Sequence, residues 1–133
     1  LNNTTPLLIA RRSIVREYGR TLVTKGIDSA FSKLIELQAD TTNYNLDEDE
    51  MNQLGYDLFA DTEIAGYQEK GLEVLKLNTL LFPKSWNPYD SYGEHLGKIG
   101  KKYEAIFMYK KSLELNPKNE AGKKALEVLL KNQ

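Results

Sequence analysis

Cysteine is absent from the chain, which excludes disulfides and thiolate metal sites. No sign of charge dominates: 18 basic and 19 acidic residues are interspersed for a net charge of −1. With no basic patch or stripe, nucleic acid is not an expected partner. No apolar run approaches the roughly 20 residues of a membrane-spanning helix, and no signal-peptide pattern is visible. Histidine occurs once. A lone His95 beside Glu94 reads as a surface residue of a helix rather than a general base. The G-x-S-x-G elbow, the H-E-x-x-H helix and the phosphate-binding Gly-rich loop are all missing. The carboxylate pairs Asp47/Glu50 and Asp90/Glu94 fall on helix surfaces, where solvation is the default. Together these absences read as a non-catalytic chain that needs no cofactor and no metal.

The 41% apolar and 28% charged composition is ordinary for a globular domain, and 133 residues suffice for one continuous core. The most informative stretch is Trp86 to Pro117, which reads as two helices joined by a tight turn. Tyr89, Tyr92 and Leu96 share one helical face, with Gly93 on the adjoining strip. Gly100 suits the left-handed conformation that ends a helix. A second apolar set follows: Ala105, Ile106, Tyr109 and Leu113, with Met108 and Leu115 alongside. Asn116-Pro117 closes it, because proline disfavours helix in the residue before it.

A hairpin this short cannot bury its own apolar faces; it needs copies of itself. At an offset of 34 residues Pro83 lies under Pro117, Gly71 under Ala105, Leu72 under Ile106 and Leu75 under Tyr109. The first helix of that earlier unit is Met51-x2-Leu54-Gly55-x2-Leu58. Gly55 to Gly71 spans 16 residues where Gly93 to Ala105 spans 12, so about one helical turn is inserted near Ala60–Tyr67. A further copy runs Val15-x2-Tyr18-Gly19-x2-Leu22, then Gly26, Ala30 and Leu34.

These residues resemble the tetratricopeptide repeat, whose pattern of W-x2-L-G-x2-Y, then A-x3-F, then P stands here as Tyr89, Tyr92-Gly93, Leu96, Ala105, Tyr109 and Pro117. The resemblance implies an all-α fold, an α-α superhelix of about three helix-turn-helix repeats plus a C-terminal capping helix. The repeats would cover about 6–40, 47–83 and 86–117, and the cap about 119–132, as one domain over 1–133.

Taken in order, Thr5-Pro6 is a plausible helix start, with Leu8, Ile14, Val15, Tyr18 and Leu22 as the stripe. Asp28 can cap the second helix, whose stripe is Phe31, Leu34 and Ile35, with Leu37 beside it. The polar segment Ala39–Asn45 reads as a long connection. In the acidic run Asp47 to Glu50, Asp47 caps and Glu50 reaches back, in preference to a calcium loop, which would spread its ligands around a central glycine. Trp86 staples the entry to the fifth helix. Lys123, Lys124 and Lys131 face solvent on the cap.

Resemblance to this repeat family also implies a concave groove lined by first helices. The matching positions are Arg16 and Arg20 on the first unit, Asn52, Tyr56 and Phe59 on the second, and Asp90, Glu94 and Lys98 on the third. Lys124 would come from the cap. Spacing by four independently puts each set on one face. A clamp for a peptide's terminal carboxylate is disfavoured, since Asp90 and Glu94 would repel it. The expected function is a protein-protein interaction module that holds a peptide or partner domain, as a monomer. An alternative follows from a second likeness. The order of the whole chain is similar to the C-terminal appendage of bacterial serine hydrolases of the beta-lactamase-like and esterase-like kinds. On that reading the chain is an accessory domain that docks on its own enzyme or recruits a partner to it.

Overall fold

The computed structural model describes residues 10–132, which form two compact units that divide between Asp47 and Glu48. Among the described residues the structure is mostly helical. Within each unit, helices that follow one another in sequence pack together, as an all-α fold requires.

In the first unit, Ser13 caps α1 (Ile14–Lys25), its hydroxyl accepting from the Arg16 amide at 2.9 Å. The helix expected to begin at Thr5-Pro6 thus begins at Ile14 within the described residues; Thr5, Pro6 and Leu8 lie outside them. Its stripe of Ile14, Val15, Tyr18 and Leu22 is buried. α2 (Ile27–Gln38) follows after one residue. Gly26 makes this possible at φ 93°, a conformation that side chains strongly disfavour, donating to Leu22 O and accepting from the Ala30 amide. The cap position therefore falls to Gly26, and Asp28 sits inside the first turn instead of capping it. α2 buries Ala30, Leu34 and Leu37, while Phe31 and Ile35 are 48% and 54% exposed. Leu34 and Leu37 are enclosed as expected, together with Ala30 of the repeat pattern, while Phe31 and Ile35 face outward.

The polar connection after α2 is more ordered than its composition suggests. Two residues of it, Tyr44–Asn45 (β2), pair in parallel with Arg12–Ser13 (β1), in the register Arg12 to Tyr44 and Ser13 to Asn45. Asp40 steadies the approach by accepting from the Asn43 amide at 3.2 Å and from its side-chain amide.

The second unit carries α3 (Glu48–Ala60), α4 (Tyr67–Leu81), α5 (Trp86–Lys98), α6 (Lys102–Leu115) and α7 (Glu120–Lys131). α4 and α6 end 34 positions apart, and so do the starts of α5 and α7. The insertion expected near Ala60–Tyr67 is real, but most of it is loop: residues 61–66 separate α3 from α4, where 99–101 separate α5 from α6. Leu75, Tyr92, Leu96 and Ala105 form a core cluster, with Tyr56, Leu72, Met108 and Leu129 packed against it. α3 and α4 meet closely because both lack a side chain at the crossing. A Cβ on Gly71 would lie 2.7 Å from the Phe59 backbone, and one on Gly55 would lie 2.5 Å from Leu75. α6 keeps the expected face: Ala105, Ile106 and Tyr109 are buried with Ser112 beside them, Leu113 is half-buried, and Leu115 is exposed. No helix among the described residues is long and apolar enough to cross a membrane.

Candidate interaction site

The side chains singled out by spacing have different fates. Tyr56 and Phe59 on α3 and Glu94 and Lys98 on α5 come together. The Tyr56 hydroxyl donates to Glu94 Oε1 at 2.6 Å, and Ser91 Oγ lies 3.5 Å away. Glu94 Oε2 pairs with Lys98 Nζ at 3.2 Å, and that ammonium lies 6.0 Å from the centre of the Phe59 ring. Burial and then the bond to Glu94 push the Tyr56 phenol up to about 12, so it remains a donor throughout the neutral range. Each charge on this strip is answered by a neighbour, and Lys98 and Glu94 still keep 52% and 38% of their side-chain surface in water.

Beneath them lies His95, which is only 1% exposed. The expectation of a surface histidine is overturned. The ring fits edgewise between two aromatics, 4.4 Å from Tyr56 and 4.7 Å from Phe59 between centroids. Nδ1 donates to Ser91 O at 2.9 Å, one helical turn back. Burial lowers its pKa, favouring the neutral ring. The residue after Glu94 turns inward because α3 covers that side of α5, a fact of packing with no local signal.

Asp90 has a structural partner. Asn119, which caps α7, accepts from the Gly122 amide through its Oδ1 and donates through Nδ2 to Asp90 Oδ1 at 3.0 Å and Ser112 Oγ at 3.2 Å. Ser112 in turn donates to Trp86 O at 3.0 Å. This chain of bonds ties α5, α6 and α7 into one block. Burial raises the Asp90 pKa, and the Asn119 amide partly offsets the rise. Asp90 is thus held by a neutral amide, and Glu94 by the Tyr56 hydroxyl and the Lys98 ammonium.

Within the second unit, Asn52 and Lys124 make no bond to this cluster. Asn52 is half-buried one turn before Tyr56, and its side-chain oxygen is enclosed without a hydrogen-bond partner. Lys124 is exposed on α7. Arg16 and Arg20 belong to the first unit, where both are exposed and Arg20 lies 3.9 Å from Glu17. No group of three or more metal-ligating side chains is assembled among the described residues.

No protein-family model matches the chain, and a search of curated proteins finds no match. The likeness to tetratricopeptide repeats therefore rests on the chain's own residues.

Proposed function

We propose that the chain is a non-catalytic, tetratricopeptide-like interaction module. It would hold a peptide or partner domain against the α3–α5 strip. The observation that carries this reading is the state of Tyr56, Phe59, Glu94 and Lys98: mutually bonded, resting on a buried His95, and still partly open to water. Side chains fixed before binding lose little rotamer freedom when a partner arrives. A tyrosine with its hydroxyl bonded and its ring face available is a common anchor in protein interfaces. With its charges paired, the strip favours a ligand held by ring faces and by hydrogen bonds over one held by net charge.

The test is affinity capture from the source cell with the natural chain and with a Tyr56→Ala, Glu94→Lys variant whose fold is verified by circular dichroism. The variant should lose the partners that the natural chain retains. An unchanged set of partners would remove the strip from consideration.

A further inference from the structure

Asn52, one turn before Tyr56, lies outside the strip. One turn earlier on α3 stands Glu48, and one turn before Asp90 on α5 stands Trp86. Between them, at the turn from α4 into α5, lies an open pocket of about 670 Å³. Its walls are apolar, from Leu81, Phe82, Pro83 and Trp86, and its polar lining comes from Glu48, Ser85 and Lys84. We propose that this pocket is a subsite for an arginine side chain of the bound peptide.

Four hydrogen bonds brace the pocket at Glu48, Ser85, Pro83 and Trp86. Ser85 Oγ donates to Glu48 Oε2 at 2.8 Å, and the fully buried Asn78 donates its amide to Glu48 O at 3.1 Å. Tyr89 donates its hydroxyl to Pro83 O at 2.9 Å, and Ser112 holds Trp86 O. These bonds hold the Glu48 carboxylate and the backbone at Pro83 and Trp86 in place around an open depression.

Its chemistry selects the occupant. A carboxylate that has accepted one bond, from Ser85, retains acceptor capacity for more. A guanidinium is planar, always charged and weakly hydrated; it stacks on aromatic faces and pairs with carboxylates through two parallel bonds. Phe82 and Trp86 put aromatic rings in the lining, and Glu48 puts a carboxylate there. The local balance of charge is acidic: Glu48, Asp49 and Glu50 cluster at the start of α3, against the exposed Lys84 of the lining. A purely apolar side chain would leave Glu48 unused, and an anionic one would oppose it.

The subsite deepens the groove reading and rests on it for the ligand being a peptide, but the pocket can be tested without any partner. The probe is N-acetyl-arginine amide, titrated into the ¹⁵N-labelled chain at concentrations on the order of 10 mM, since one residue's contacts bind weakly. Trp86 is the sole tryptophan, so its indole N–H signal reports the pocket unambiguously. The expected result is a saturable shift of that signal and of the Ser85 amide. N-acetyl-citrulline amide, of the same shape but uncharged, should bind about tenfold more weakly, and Glu48→Gln should weaken the arginine probe about as much. Lys84→Ala should leave binding equal or tighter. Equal response to the two probes, loss of binding in Lys84→Ala, or shifts centred elsewhere would overturn the proposal. The Tyr56→Ala, Glu94→Lys variant should keep the arginine response. Failure of the strip and failure of the pocket are thereby read separately.

Discussion

Replacing Gly71 with alanine should destabilise the second unit, although alanine is the better helix former. In a helix interior the exchange alone would gain about 1 kcal/mol. Against this stands the crossing of α3 and α4. The new Cβ would sit 2.7 Å from the Phe59 nitrogen and Cβ and 2.8 Å from its Cα. Carbon atoms settle at about 3.5–4.0 Å from one another, so the helices must part by roughly 1 Å. Phe59 cannot swing away, because its clashing atoms are backbone and first side-chain carbon. Overpacking of this kind costs about 1–3 kcal/mol, and at the mid to upper part of that range it outweighs the gain, leaving a net loss of up to about 2 kcal/mol. The assay is equilibrium urea unfolding followed by Trp86 fluorescence, with Gly97→Ala as the control. A Cβ at Gly97 would meet nothing within 4 Å, so that variant should gain up to about 1 kcal/mol. At a typical slope the Gly71→Ala midpoint falls by up to about 1 M, while the control midpoint rises. A Gly71→Ala midpoint at or above that of the natural chain would refute the close-crossing argument. Because Phe59 carries part of the proposed strip, the same variant should also shift the His95 ring resonances.

Two further outcomes follow from the buried polar groups. Asn119→Ala removes the α7 cap and the amide that Asp90 accepts from. It should cost about 1–2 kcal/mol and speed hydrogen exchange in the first turn of α7; unchanged exchange there would contradict the clasp. His95 should titrate below the ordinary histidine value of about 6.5, as read from its ring proton resonances by NMR. Since the unfolded chain takes up that proton first, stability is complete above about pH 6.5 and falls as pH drops through that value toward the folded pKa. His95→Gln should flatten this dependence, and an upward-shifted His95 would mean the ring is not enclosed.

Much of the helical layout was legible in the residues. Small residues at Gly55, Gly71, Gly93 and Ala105, set between apolar positions three and four apart, already marked where helices cross. That signal is local, arising from the 3.6-residue period of one segment at a time. The pairing of β1 with β2 is not local. It joins residues about 30 positions apart through two residues on each side, too few to leave an alternating pattern. The exposure of Phe31 and Ile35 on α2 has a related cause. Ala30 and Phe31 are neighbours on the helix, and only the surrounding elements decide that the smaller one is enclosed.

The candidate site divides along the same line. Spacing alone put Tyr56 with Phe59, and Glu94 with Lys98, on single faces, because helix geometry determines such neighbours within a segment. It could not choose among the polar residues of a face. Only the packing of α3 on α5 enclosed His95 and brought the Tyr56 hydroxyl to Glu94, and only the arrival of α7 committed Asp90 to Asn119. The pocket beside Trp86 likewise exists because the start of α3 lies against the turn into α5. The order of apolar and small residues determined what each segment would become. The role of each polar side chain was decided by which other segment came to lie against it, since hydrogen bonds and burial act through space, and spatial neighbours are not inscribed in local periodicity.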